Sequence, residues 1–265
     1  MDFSKSYEVT NQYGDIVRIF GSGIYEHDSY FKAPISIGTD FCILLVLVPL
    51  FICSYIRDIR EDTDATRIRL MSAYAVALYY AASLAFGVTY NRLHLVYIAL
   101  FACSLFGTFV TFRTIQTSDL NFTATKGIGT FLVLTGIALI VAWMPDIIPA
   151  MLSGEPLSLI EVYTTEITYV LDMGIIAPLC LVCVHLLNKK DNLGTVIFAI
   201  LSTTCIFVGI MMIPQAICQM RSGYEMPTQV FVGKSGSFIA LGGFALYFDR
   251  KLYSALQRNR RALSS

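Results

Sequence analysis

The sequence predicts an all-α integral membrane protein: a seven-helix bundle with its N-terminus outside and its C-terminus inside. Three observations carry this. The 265-residue chain is 55% hydrophobic and has a mean hydropathy of +0.64. Charged residues make up only 14% of it, against roughly 25% in soluble domains, too few to cover a globule of this size with polar surface. The apolar residues also fall into runs long enough to cross a bilayer core of ~30 Å at ~1.5 Å per residue. Acidic and basic residues balance at 19 each, which leaves no polycationic face for nucleic acid.

Taken in order, residues 1–32 read as an extracytoplasmic segment. They are polar and mixed in charge, without the basic start, apolar stretch and cleavage site of a signal peptide. Within them IVRIFGSGIY (Ile16–Tyr25) predicts a short hairpin around Gly21-Ser22-Gly23 lying over the outer mouth of the bundle. Residues 33–248 form the bundle, with spans at roughly Ala33–Ile56, Ile68–Tyr90, Leu93–Phe112, Gly127–Met144, Tyr163–Leu187, Leu193–Ile217 and Met226–Phe248. Residues 249–265 are a basic cytoplasmic tail. On this layout 13 Lys and Arg lie on the side of the tail and 6 on the other. Basic residues resist translocation, so the bias sets the orientation, in the cytoplasmic membrane.

All seven cysteines fall in the spans and read as small hydrophobes, Cys180 and Cys183 included, because their CxxC spacing has no flanking base to activate a thiol. Gly233/Ser237 and Gly236/Ala240 predict a close approach of the seventh helix to a neighbour. Trp143, the lone tryptophan, predicts an interfacial boundary, and Pro214 a kink beside Gln215.

Ionisable residues at membrane depth are costly and mark candidate sites. Asp40 in the first span, Asp172 in the fifth and Lys234 in the seventh share one depth band in the outer half, with His94 and Gln215 at the same level. At 100° per residue, Glu161, Thr165, Thr168 and Asp172 fall on one helix face, while Glu166 points about 100° away toward headgroups. Tyr79, Ser83, Gly87 and Tyr90 share a face of the second helix. Because lipid offers no hydrogen bonds, such faces turn inward, and they predict an outward-opening polar cavity. Lys234 is expected to pair with Asp40 or Asp172, leaving the other acid to take a proton or a cation. The opposing reading is a structural ion pair that holds the bundle together.

Several stretches resemble an uncharacterised family of bacterial polytopic (seven-helix) membrane proteins. They are Gly23-Ile24-Tyr25 with Asp28-Ser29, Gly38-Thr39-Asp40, Pro49-Leu50, Leu78-Tyr79-Tyr80, Asn91, His94–Leu100 and YTTEITYVLDMGIIAP from Tyr163 to Pro178. The resemblance implies a similar topology and supplies no activity. With Tyr80 from these runs, the candidate ligand- or ion-binding set is Asp40, Asp172, Lys234, Tyr80, His94, Thr168 and Gln215.

The expected function is transport of a small polar solute or cation through that cavity, with the lipid bilayer as surroundings. The alternative is a sensor or receptor with an outward-facing pocket and a cytoplasmic protein partner. Enzyme chemistry is disfavoured: GxSxG and HExxH are absent, and the only histidines are His27, His94 and His185. No catalytic residue, metal site or cofactor is expected. A retinal Schiff base at Lys234 is disfavoured too, because the third helix supplies no acidic counter-ion.

Overall fold

Helix dominates the computed structural model, as it must where long apolar runs have to satisfy their own backbone groups. It describes residues 5–117, 120, 122–223 and 228–264; the side chains of 228–232, 234 and 259–264 lie outside the description. After a hairpin of β1 (Tyr7–Thr10) and β2 (Ile16–Ile19) come α1 (Lys32–Glu61), α2 (Asp64–Gly87), α3 (His94–Thr114), α4 (Lys126–Ser153), α5 (Ile167–Asn188), α6 (Asn192–Ser222) and α7 (Thr228–Ser264). Helices α1 to α6 are each long and apolar enough to cross a membrane. The seventh expected span falls on α7. Its first residues, 226 and 227, and the side chain of Lys234 lie outside the described residues.

The hairpin differs in part from expectation. β1 and β2 pair antiparallel with Tyr7 opposite Ile19, so a first turn lies at Asn11–Asp15; the chain also reverses after Gly21-Ser22-Gly23, where Ile19 bridges Ser29 and the Phe20 N–H donates to the Asp28 carbonyl at 2.9 Å. Asn11 explains the first turn: its side-chain oxygen accepts from the Tyr13 and Asp15 backbone N–H groups, both at 2.9 Å, an Asx turn that reverses the chain locally. The segment then folds onto the ends of other elements. Asn11 Nδ2 donates to the Glu161 carbonyl at 3.0 Å, and Gln12 Nε2 to that of Tyr163 at 3.3 Å.

α6 lies among α1, α2, α5 and α7. Two of these packings depend on glycine. A Cβ on Gly38 of α1 would meet the α6 backbone at Gln215 at 2.5 Å, and one on Gly209 of α6 would meet Gly242 of α7 at 3.0 Å. The expected small-residue face of α7 is therefore shifted: Gly233 and Gly236 meet nothing within 4 Å among the described residues, and Gly242 makes the close contact. The main core joins α2, α4, α5, α6 and α7 through Ile68, Met71, Leu132, Cys180, Phe198 and Leu252. A second cluster at the hairpin end holds Phe20, Tyr25, Tyr30, Leu84 and Tyr97. All seven cysteines are free, and Cys180 and Cys183 are fully buried, as packing residues should be.

Two helices carry a wide turn. In α1 the Val48 N–H reaches back five residues to the Ile43 carbonyl; in α5 the Ala177 N–H does the same to Asp172. Each wide turn runs directly into a proline, Pro49 or Pro178. A proline lacks the N–H, and its ring crowds the carbonyl one turn back; a π-turn makes room for it without ending the helix. α4 likewise continues past Met144, through Pro145 and Pro149, to Ser153.

Candidate functional site

Asp40 lies three residues before the wide turn of α1, and Asp172 opens that of α5. Both carboxylates are filled by neutral donors. Asp40 accepts from Tyr25 Oη at 2.9 Å on Oδ2 and from Tyr80 Oη on Oδ1. Asp172, 6% exposed, accepts from Tyr79 Oη at 2.8 Å on Oδ1 and from the Trp143 indole N–H at 3.1 Å on Oδ2. Among the described residues no cation reaches either acid.

Tyr79 and Tyr80 are consecutive in α2, so they project about 100° apart. One reaches α5 and the other α1. The carboxylates of Asp172 and Asp40 are thus both held from α2, by neighbouring residues of it. They do not share one cage, however: α2 holds each of them through a different tyrosine.

The other expected site residues scatter. Gln215, 6% exposed, donates to Thr39 Oγ1 at 2.7 Å, one residue from Asp40, across the Gly38 contact. His94 begins α3 and packs against the Tyr90 ring at a centroid distance of 5.5 Å. Thr168 contributes its backbone carbonyl to the Asp172 N–H in α5. The side chain of Lys234 is outside the described residues, so its pairing with either acid remains an expectation from the sequence.

Several groups play parts that the sequence did not reveal. Trp143 does more than mark a boundary: its half-buried ring stacks on Tyr169 at 4.6 Å while its N–H holds Asp172. The lone tryptophan and the polar face containing Tyr79 were visible, but nothing in their spacing tied them to an acid on another helix. The helical face running from Glu161 to Asp172 does not exist, because α5 starts at Ile167 and Glu161 has a left-handed backbone, φ 49°. Glu166 pairs with Lys32.

At the hairpin end these residues join a clamp. Asp28, 1% exposed, accepts from Tyr163 Oη at 2.8 Å, the Thr89 N–H at 3.1 Å and Thr89 Oγ1 at 3.0 Å. Lys32 lies 3.9 Å from the Tyr163 ring. Burial raises the pKa of both Asp28 and Glu161 above the usual carboxylate range. At the opposite end, Arg69 of α2 donates to Asp249 of α7 at 3.0 Å and stacks 3.5 Å above the Tyr253 ring, while Ser202 of α6 holds the other carboxylate oxygen at 3.1 Å. No group of three or more His, Cys, Asp or Glu side chains suited to a metal occurs among the described residues.

Set against family models, curated proteins and solved structures, the chain matches none of them. Its reading therefore rests on the geometry of these groups.

Proposed function

We propose that this multi-pass membrane protein transports a small polar solute or cation, with Asp40 and Asp172 as the groups that take up and release charge. The observation that carries this is a pair of carboxylates in the candidate spans that, among the described residues, are satisfied by hydroxyl and indole donors only. A carboxylate whose partner is a tyrosine hydroxyl can accept a proton by rotation of that hydroxyl, with no charged neighbour to displace. The wide turns beside both acids add local freedom, and such turns are frequent at working sites. In this reading the hairpin end faces outside and residues 249–265 lie on the cytoplasmic side of the cell membrane, following the bias of basic residues.

The test is flux into proteoliposomes of the full-length protein, with an internal pH dye and an imposed membrane potential. Asp172→Asn should abolish flux that the wild type supports. Unchanged flux would remove Asp172 from the mechanism.

One observation favours a receptor as the second reading. A cavity of about 630 Å³ lies outside the spans, lined by Asp15, Arg18, Tyr30 and Glu161 among others, within the roughly 300–1,000 Å³ of small-molecule sites. Solute binding there without flux, together with a protein partner retained through residues 249–265, would mark a receptor.

A further inference from the structure

A second hollow, of about 450 Å³, lies where the end of α4 meets the start of α5. It is lined by Ile147, Ala150, Met151, Tyr169 and Val170, and by Glu155 and Glu166. Met151 in its wall and Leu152 beside it are 77% and 83% exposed, so its apolar side is open to the surroundings.

Charge in this part of the chain is one-sided. Between Lys126 and Lys189 there are five acids, Asp146, Glu155, Glu161, Glu166 and Asp172, and no Lys or Arg. Lys32, reaching in from α1, balances one of them. Tyr169 donates to Asp146 at 2.8 Å, which draws further negative charge toward its ring. The same ring stacks on Trp143, whose N–H holds Asp172, so two side chains connect the hollow to the buried carboxylate.

We propose that this hollow binds a hydrophobic organic cation. The inference rests on the transport reading above and narrows its ligand to one chemical class. Apolar walls would strip a small inorganic cation of hydration they cannot replace, whereas an organic cation is already weakly hydrated. With Glu166 balanced by Lys32, Glu155 and the aromatic face of Tyr169 suit positive charge, since cations are attracted to carboxylates and to aromatic rings. A neutral acyl chain would gain nothing from that carboxylate.

The test uses the full-length protein in nanodiscs and two ions of matched size and hydrophobicity, tetraphenylphosphonium and tetraphenylborate. The cation should bind saturably and the anion about tenfold more weakly or worse, a discrimination within the range of an acidic, aromatic site. Ala150→Trp, which fills the hollow without altering charge, should lower the cation's affinity about tenfold while the melting temperature holds. Should that variant fail to fold, Glu155→Gln should weaken the cation severalfold and leave the anion unaffected. Equal binding of both ions, as for a lipid groove, overturns the proposal, and so does wild-type affinity in the variants. Phosphonium binding in a protein without flux would leave this site standing and remove the transport reading; flux without phosphonium binding would do the reverse.

Discussion

Asp249 and Asp172 are both buried carboxylates on helices of one bundle, yet they are held in opposite ways. Asp249 has a guanidinium on one oxygen and a serine on the other, with Arg69 in turn braced against Tyr253. Asp172 has a phenol and an indole, as Asp40 has two phenols. A paired charge must stay charged, because removing either partner strands the other in a poor solvent. A carboxylate among neutral donors can change protonation with far less disruption. The contrast separates an ion pair joining α2, α6 and α7 at one end from two acids held by neutral donors, the groups proposed to take up and release charge.

The largest effect expected from this contrast is on Arg69. Arg69→Met should cost about 3–5 kcal/mol of stability, read by unfolding in detergent, since it leaves Asp249 buried without its cation. A loss below about 1 kcal/mol would show that the pair is not structural. Tyr79→Phe comes next and measures the charge on Asp172. Losing a hydrogen bond to a charged group costs about 1.5–3 kcal/mol, against 0.5–1.5 for a neutral one, so the size of the drop reports which form the wild type holds. Gly38→Ala should cost about 1–3 kcal/mol by pushing α1 off α6. It should also weaken the Gln215–Thr39 bond beside Asp40, and its neutrality would show that this contact is not needed.

The smallest effect concerns the clamp at Asp28. Its folded pKa is raised, so the folded state holds the proton more tightly than the unfolded chain. Stability from this group is therefore greatest at low pH and falls as pH rises from about 3.9 through the raised folded value. Hydrogen exchange of residues 5–31 across this window should show the hairpin segment loosening as pH rises. Asp28→Asn should flatten that slope.

The spans were legible in the sequence because a bilayer imposes a simple rule of length and apolarity; α1 to α6 follow it to within a few residues except where α4 outruns its prolines. The acids were legible for the same reason, since charges at that depth are rare. Their partners were not. Tyr79 and Trp143 reach Asp172 from α2 and α4, and hydropathy says nothing about which helices become neighbours. The Arg69–Asp249 pair was hidden because both residues sit at span ends, where charges usually meet water. The helical face through Glu161 failed because the start of α5 was placed at Tyr163, four residues early. The turn at Asn11–Asp15 was not legible because the Asn11 side chain sets it, through the Tyr13 and Asp15 N–H groups.

The central claim is that Asp172 works and Asp249 builds. The most direct measurement is potential-driven proton or cation flux in proteoliposomes for Asp172→Asn, paired with its unfolding curve. The account expects flux to fall by at least about tenfold while stability changes by no more than about 1 kcal/mol, the scale of one exchanged hydrogen bond. Undiminished flux, or a protein that loses stability as Arg69→Met is expected to, would contradict it.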